Sequence, residues 1–183
     1  IAAQLQHPNI VSIHEVSMVR SPKGRPFHFI AMEYIHGQTF AEVLRKEGVS
    51  QGEKLRMLED AARAVGFAHS RGVIHRDLKP ANILVDNRDH VFLTDFGLAR
   101  AESFTTRLTR SKTIMGTPQY MAPEQVEGRV KDIDARSDVY ALGVILYETL
   151  VGTLPFTEES PAVLYHKIVH EDPPRPTRAS RSI

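Results

Sequence analysis

Five side chains that can do chemistry lie within one short segment, HRDLKPANIL, at residues 75–84. They are His75, Arg76, Asp77, Lys79 and Asn82. A carboxylate can accept a proton from a hydroxyl, a lysine ammonium can stabilise developing negative charge, and an amide oxygen is a hard ligand suited to Mg²⁺. For any single one of these residues, a polar loop between two strands is the simpler interpretation. The set as a whole indicates a loop built for chemistry.

A second carboxylate, Asp95, follows another strand-like run in the segment TDFGLAR. Gly97 allows a sharp turn just past Asp95, and Phe96 can anchor that turn in the core. Asp95, Asp77 and Asn82 together offer oxygen ligands for Mg²⁺, which often shares its coordination shell with phosphate. An Asp beside a Lys is also the arrangement that orients a hydroxyl and stabilises a transferring phosphoryl group. The residues therefore point to phosphoryl transfer.

The composition sets limits on the class of protein. The chain has 183 residues, of which 42% are hydrophobic and 25% charged, with a formal net charge of +1. This length suits one domain or two small lobes, and the near-neutral charge predicts no nucleic acid or membrane surface as a partner. No apolar run approaches the ~20 residues of a membrane helix, and no signal peptide is visible. Cysteine is absent, which excludes disulfides and favours a reducing, cytoplasmic location.

The strands and helices before residues 75–84 are predicted from residue type and helix-capping patterns. The stretch 9–35 predicts two β-strands joined by the turn SPKG, and such a pair needs neighbours to be stable. The polar HGQ then introduces a helix, with TFAE as its capping box and Gly48 as its C-cap. A stronger capping box, SQGE, opens a second helix that ends at Gly72. The apolar face of this helix is predicted to comprise Leu55, Leu58, Ala62, Val65 and Ala68.

The remaining elements follow the same logic. VIHRD, NILVD and VFLTDFG are strand-like pieces, and residues 99–114 have the composition of a loop. SDVYALGVILYETLVG is nearly apolar but too short to span a bilayer, which predicts a helix buried in the core. Ser160 and Pro161 begin a last helix that reaches about His170, and EDPPRPTRASRSI after it is predicted to be extended. Strands dominate before residue 39 and helices after it.

The motifs HRDLKPAN, DFG and APE (residues 122–124) occur in the order and at the spacings of eukaryotic-like protein kinases. SDVYALG resembles that family's central buried helix, so the resemblance covers essentially the whole chain. The spelling of GTPQYMAPEQ and ARSDVYALG is most similar to bacterial Hanks-type Ser/Thr kinases. The resemblance implies an α+β, protein-kinase-like fold. Residues 1–35 would be a remnant of the small β lobe, and residues 36–183 the hinge and most of the helical large lobe.

The resemblance also implies an activity, the transfer of the ATP γ-phosphate to Ser or Thr hydroxyls of protein substrates with Mg²⁺. Asp77 is similar to the catalytic base, and Lys79 to the residue that contacts the γ-phosphate in Ser/Thr-specific members. Asn82 and Asp95 resemble the two metal ligands. Thr117, in GTPQY, would bond toward Asp77 and Lys79 and shape the acceptor site; the alternative is an ordinary turn threonine.

Further positions carry the adenine site by the same resemblance. Met32 would lie at the back of the pocket, and Leu84 would form its floor. Glu33 and Ile35 would present a backbone carbonyl and an amide to the purine edge. The alternative is that FIAMEYI is simply a buried strand, and both can hold because these contacts are mostly made by the backbone.

Other residues are implied to support the site rather than to act in it. His75 resembles a packed core residue bonded to the backbone near Phe96, which we favour over a catalytic role. Asp138 would hold the backbone of the loop from the buried helix and so preorganise Asp77. Glu124, in APE, resembles a structural residue whose usual arginine partner lies in helices that this chain lacks.

Regulation has a physical basis in two arginines, Arg76 and Arg100. A phosphate on the loop between DFG and APE would find bidentate guanidinium partners there. The hydroxyl residues of this loop are Thr105, Thr106, Thr109, Ser111 and Thr113. We favour Thr109 and Ser111, with Thr113 behind them; the alternative is that these arginines are only solvated.

The sequence lacks the family's glycine-rich loop, its phosphate-binding strand lysine and the partner glutamate, and LQHPNIV resembles the end of the helix that carries this glutamate. We therefore expect the parent protein to be a kinase, with its kinase domain in the cytoplasm and in many bacterial members a membrane anchor, and this chain alone to be inactive or nearly so. The alternatives are a pseudokinase that acts as a binding or scaffold module, and a kinase-fold phosphotransferase for small molecules. Asp77, Asn82 and Asp95 argue against the former, and the loop ending in APE against the latter.

Overall fold

The structure is a computed structural model that describes residues 5–20, 24, 26–96 and 118–179. The strands in these residues are β1 (Ile13–Arg20), β2 (Pro26–Met32), β3 (Gly37–Thr39), β4 (Ile83–Asp86) and β5 (Val91–Leu93). The helices are α1 (Phe40–Arg45), α2 (Gln51–Ser70), α3 (Pro123–Val126), α4 (Ala135–Val151), α5 (Pro161–His170) and α6 (Pro176–Ala179). Short 3₁₀ turns occur at Pro80–Asn82, Pro118–Tyr120 and Val130–Asp132. The described residues thus contain both strands and helices, as in an α+β fold.

The two strands predicted in the first part of the chain are confirmed as an antiparallel hairpin of β1 and β2. The chain before β1 ties this hairpin to the rest of the molecule through β5. The Val11 N–H donates to the Leu93 carbonyl at 2.9 Å, and the Leu93 N–H donates to the Asn9 carbonyl at 2.8 Å. An isolated two-stranded hairpin is only marginally stable in water. These two bonds attach the chain next to the hairpin to β5.

The second sheet contains a strand that the sequence did not predict. Its order is β3-β4-β5, all antiparallel. The HGQ segment was interpreted as a lead-in to a helix, but Gly37–Thr39 pairs with β4. At Gly37 a Cβ atom would lie 2.0 Å from the Val85 carbonyl oxygen, so only glycine permits this close approach. The pairing depends on a partner more than forty residues away, which no local pattern shows.

Both predicted capping boxes are present. Ser50 Oγ accepts the Glu53 N–H at 3.2 Å, and Glu53 Oε2 accepts the Ser50 N–H at 2.8 Å. Thr39 caps α1 in the same way. The predicted C-cap of α1 was wrong, because the helix ends at Arg45 with Lys46 as its cap and Gly48 lies beyond it. Gly48 instead takes a left-handed φ of 85° in the connection to α2.

Helices α2 and α4 form the centre of the core, as predicted for α4. The buried face of α2 is rotated slightly from the predicted one, since Leu55 and Ala62 are only half-buried. The residues of α2 that are buried are Met57, Leu58, Ala61, Ala64, Val65 and Ala68. In the part of the chain that the structure describes, no helix is both long and apolar enough to cross a membrane.

Two local predictions are corrected. VIHRD forms no strand, because the backbone N–H groups of His75 and Arg76 bond to a carboxylate rather than to a neighbouring strand. The end of the chain was predicted to be extended, yet Pro176–Ala179 forms the short helix α6. Proline is favoured in the first turn of a helix, where its missing N–H costs nothing, and composition alone does not distinguish this position from an extended segment.

Candidate active site

The segment before Asp77 is held by a carboxylate from the core. Asp138 belongs to the first turn of α4 and is 1% exposed. Its Oδ2 accepts the His75 N–H and its Oδ1 accepts the Arg76 N–H, both at 2.8 Å. Each bond to a charged acceptor contributes on the order of 1.5–3 kcal/mol. Helix α4 therefore sets the position of the backbone that leads into Asp77.

This support allows a strained conformation. Arg76 has a φ of 69° and Asp95 a φ of 65°, in the left-handed region that side chains usually avoid. A non-glycine residue in this region lowers the stability of the fold by about 1–2 kcal/mol. At Arg76 the two hydrogen bonds that Asp138 accepts offset this loss. Non-glycine residues in this region often occur at functional sites, where the surrounding structure determines the backbone.

Asp77, Lys79 and Asn82 contact one another directly. Lys79 Nζ lies 2.9 Å from Asp77 Oδ2. Asn82 Nδ2 donates to the Asp77 backbone carbonyl at 2.8 Å and lies 3.3 Å from Asp77 Oδ2. The 3₁₀ turn Pro80–Asn82 brings the amide back beneath Asp77. Asn82 is buried, whereas 45% of the Asp77 side chain remains exposed to solvent.

Asn82 also joins this loop to the segment that carries Asp95. The Thr94 N–H donates to the Asn82 carbonyl at 3.1 Å, which places the end of β5 beside the loop. Asp95 follows Thr94 directly and is exposed. The structure thus places the backbone of Thr94, next to Asp95, against the loop that carries Asp77 and Asn82.

His75 is a core residue in the described structure. It is fully buried, its Nε2 lies 2.9 Å from the Thr94 carbonyl, and its ring centroid lies 4.6 Å from that of Phe96. Burial lowers the pKa of His75, although the negative charge of Asp138 opposes this effect. The ring is therefore neutral, with its proton on Nε2 for the carbonyl, and Nδ1 faces the Asp77 N–H at 3.4 Å. The imidazole packs under the loop.

The donor atoms fit a hard divalent cation. Asn82 Nδ2 is engaged by Asp77, so Oδ1 is the atom with which Asn82 can bind a cation. Asp95 adds a carboxylate, and Mg²⁺ commonly takes only one or two such ligands together with phosphate oxygens and water. Within the described residues, no three His, Asp or Glu side chains gather into a cluster that could hold a metal. Any Mg²⁺ bound here would share its ligands with phosphate and water.

The residues predicted to contact adenine lie in two places. Met32 lines a cavity of about 20 Å³, which has room for little more than one water molecule. The residues on both sides of Asp95 line the same cavity. Thr94 Oγ1 lies 3.7 Å from the Met32 sulfur. The Glu33 N–H donates to the Ser12 carbonyl at 2.9 Å. The other two predicted contacts, Ile35 and Leu84, are half-buried and do not line this cavity.

Five predicted residues lie outside the part of the chain that the structure describes. They are Arg100, Thr109, Ser111, Thr113 and Thr117. Arg76, the other predicted phosphate partner, is described and its side chain is half-buried. Glu124 Oε1 accepts a short hydrogen bond from the Ser137 hydroxyl at the start of α4. This bond links the APE segment to the same helix that supports the loop.

The sequence interpretation missed two polar side chains near the loop. His69, at the end of α2, has its Nε2 2.7 Å from Asp138 Oδ2. Gln125, in α3, donates from Nε2 to the Arg76 carbonyl at 2.7 Å. A His near a helix C-terminus and a Gln at the third position of a helix are both ordinary local choices. Only their distant partners give these residues a place near the site.

Comparison with known proteins identifies the family. A model described as "Protein kinase domain" matches residues 1–181. The chain belongs to the protein kinase family. The serine/threonine-protein kinase PknB of Mycolicibacterium smegmatis is 41% identical over 97% of this kinase chain and 28% of its own length. PknB of Mycobacterium leprae is 39% identical over 100% of the chain and 29% of its own length. The serine/threonine-protein kinase pkn3 of Myxococcus xanthus is 41% identical over 97% of the chain and 33% of its own length.

These findings confirm the expected family and the α+β protein-kinase fold. They also confirm the expected similarity to bacterial serine/threonine kinases, by the names of the relatives. The kinase chain spans 28–33% of the length of these curated relatives, so most of each relative has no counterpart in it.

Proposed function

We propose that the protein to which this chain belongs transfers the γ-phosphate of ATP to Ser or Thr hydroxyls of protein substrates. The observation that carries this proposal is the contact of Asp77 with both Lys79 and Asn82, on a loop whose backbone is held by Asp138. The kinase family and the serine/threonine kinases among the relatives support the reaction class.

Asp77 accepts the proton of the substrate hydroxyl, or orients that hydroxyl for attack. Its carboxylate is partly exposed, so a substrate can reach it, while its backbone neighbours are fixed. Lys79 Nζ, 2.9 Å away, pairs directly with this carboxylate in the resting state. When ATP is bound, the flexible lysine stem lets the same ammonium turn to the γ-phosphate and stabilise its charge.

Asn82, through Oδ1, and Asp95 would hold Mg²⁺, which would neutralise negative charge on the ATP phosphates. Met32, Glu33, Ile35 and Leu84 hold the adenine. Residues 33–36 lie outside the strands and helices, which supports backbone contacts of Glu33 and Ile35 with a ligand.

Regulation and substrate alignment belong to the segment before APE. Thr117 shapes the acceptor site, and phosphate on Thr109, Ser111 or Thr113 pairs with Arg76 and Arg100. Tryptic mass spectrometry of the full-length protein after incubation with ATP tests this assignment. Phosphate confined to residues outside 105–113 would contradict it.

We propose that residues 1–35 are part of a small β lobe and that residues 36–183 are the hinge and most of a large lobe. The sequence contains no glycine-rich phosphate loop, a part on which phosphoryl transfer in kinases depends. The isolated 183-residue chain is therefore inactive or nearly so. Robust, Asp77-dependent turnover by this chain alone would contradict that proposal.

The activity itself is tested with the full-length protein, Mg²⁺, γ-labelled ATP and casein as a generic substrate. Asp77→Asn should lower kcat by about 10²-fold or more, because the proton acceptor is lost while the shape is kept. Asp132→Asn is the control, since this carboxylate is exposed and pairs with Arg129 at the surface. If wild type transfers no phosphate to any substrate or to itself, the proposal fails and the pseudokinase alternative stands.

A further inference from the structure

Gln125 is a buried amide with both ends engaged. It lies in α3, directly after the APE segment, and is 4% exposed. Its Oε1 accepts the Ala122 N–H at 2.9 Å, which satisfies the start of its own helix. Its Nε2 donates to the Arg76 carbonyl at 2.7 Å, across 49 positions of sequence. One side chain therefore joins the APE segment to the residue before Asp77.

The orientation of this amide is determined by its partners. Ala122 presents an N–H donor, and Arg76 presents a carbonyl acceptor. If the amide were rotated by half a turn, an NH₂ group would face the Ala122 N–H and an oxygen would face the Arg76 carbonyl. Both contacts would be repulsive, so a single orientation satisfies the site.

Arg76 is thereby held on both of its backbone polar groups. Asp138 accepts its N–H at 2.8 Å and Gln125 donates to its carbonyl at 2.7 Å, while its φ is 69°. The Arg76 carbonyl and the Asp77 N–H belong to the same planar peptide group. Fixing the direction of this carbonyl fixes the plane from which the Asp77 side chain leaves the backbone.

We propose that Gln125 is a positioning residue for Asp77, acting through the Arg76 peptide. This inference rests on the proposed kinase function and adds to it. Asp138 anchors the loop from the core, and Gln125 anchors it from the APE segment. The orientation of Asp77 thus depends on the APE segment being correctly placed. A displacement of about 1 Å at a catalytic group can cost a large factor in rate.

Three variants of the full-length protein separate positioning from simple core packing. Gln125→Met keeps the length and volume of the side chain and removes both hydrogen bonds. Gln125→Glu keeps the acceptor for Ala122 but donates to Arg76 only when it is protonated. Gln51→Met is the control for the loss of a side-chain hydrogen bond to a distant carbonyl, because Gln51, exposed at the start of α2, donates from Nε2 to the Leu150 carbonyl at 3.0 Å.

The expected kinetic result is a split between kcat and KM. In Gln125→Met, kcat falls by about tenfold while KM for ATP changes by less than about twofold, since only the orientation of Asp77 is disturbed. Gln51→Met keeps the wild-type kcat. Wild-type kcat in Gln125→Met would overturn the proposal, and so would an equal loss in Gln51→Met.

The glutamate variant supplies a pH signature that packing alone cannot produce. An ionised carboxylate opposite the Arg76 carbonyl is repelled, whereas a protonated one restores the bond. The kcat of Gln125→Glu relative to wild type should therefore rise several-fold as the pH falls from 8 to 5.5. The titratable or charged groups that line the same small cavity, Arg76, Asp77, Tyr120 and Asp138, are present in both proteins, so wild type is the reference for their own pH dependence. A ratio that does not depend on pH would overturn the proposal.

Amide hydrogen exchange gives a readout that does not require activity. In Gln125→Met the peptide covering residues 75–78 should exchange faster than in wild type and in Gln51→Met, because one anchor of the loop is lost. If wild type proves inactive, the proposed function fails, but faster exchange still supports the link from Gln125 to Arg76. Unchanged exchange at residues 75–78 would overturn the link whatever the activity.

Discussion

The imidazole of His69 lies 2.7 Å from the carboxylate of Asp138, measured from Nε2 to Oδ2. The same carboxylate accepts the backbone N–H groups of His75 and Arg76. A buried charge is tolerated only when its lone pairs are satisfied, and three donors meet this need. The end of α2, the start of α4 and the segment that leads into Asp77 are therefore joined at one carboxylate.

Removing His69 should weaken the fold at this junction. His69→Ala takes one donor from a buried carboxylate, and we expect the free energy of unfolding to fall by about 1–3 kcal/mol. Urea denaturation followed by circular dichroism measures this change. Ser70→Ala, next in the chain, is the control, because Ser70 is exposed and bonds only to the Phe67 carbonyl of its own helix. Equal stability of the two variants would show that the His69 contact contributes nothing.

The stability of the protein should depend on pH through His75. Burial lowers the pKa of His75 in the folded state, whereas in the unfolded chain it is about 6.5. Below pH 6.5 the unfolded state binds a proton that the folded state does not, so stability falls as pH falls until the lowered pKa is reached. The slope approaches about 1.4 kcal/mol per pH unit for one proton. Stability is constant with respect to this group above pH 6.5.

His75→Gln tests this dependence because it keeps a donor for the Thr94 carbonyl but cannot titrate. Its unfolding free energy should decline less steeply than that of wild type between pH 6.5 and pH 5. Parallel curves for the two proteins over this range would contradict the assignment of a neutral, buried His75.

Backbone strain at Asp95 should be visible in a pair of substitutions. Asp95 has a φ of 65°, which glycine adopts freely and alanine does not. Asp95→Gly should therefore be more stable than Asp95→Ala by about 1 kcal/mol in urea unfolding, although both lack the carboxylate. The same pair at Asp60, exposed in the middle of α2, should show the opposite order, since glycine costs about 1 kcal/mol inside a helix. The same order at both sites would refute the strain.

The hairpin of β1 and β2 should promote self-association of the isolated chain. Val19 and Phe27 face each other across the hairpin and are 53% and 57% exposed. Exposed apolar pairs on a sheet favour aggregation. Replacing both residues by Thr should raise the concentration at which light scattering appears, with strand propensity retained. Val163→Thr, on the exposed side of α5, is the control, and a similar gain there would contradict a specific role of the hairpin.

Local features were well predicted from the sequence. The capping boxes at Thr39 and Ser50 were found in place, because they depend on residues only three positions apart. Helix α4 was predicted from its apolar composition and lies in the core. The hairpin followed from strand-type residues on either side of a turn.

Features that depend on a distant partner were not predicted. Strand β3 forms because β4 supplies its hydrogen bonds, and the segment at His75 is not a strand because Asp138 takes its N–H groups. His69 and Gln125 were not identified from the sequence, because their contacts with Asp138 and the Arg76 carbonyl join atoms far apart along the chain. A local sequence pattern predicts a helix or a strand, but it does not identify the hydrogen-bond partner of a single buried polar atom.

By itself, the sequence determined the family, the kinds of side chain at the site and their order along the chain, because chemistry and local geometry depend on residue type and short spacing. Only the tertiary structure decided how the loop is held. The left-handed backbone at Arg76 and the direction of its carbonyl are set by Asp138 and Gln125, which meet it from two other helices. Hydrogen bonds act over about 3 Å, so they can be assigned only once folding has brought their partners together.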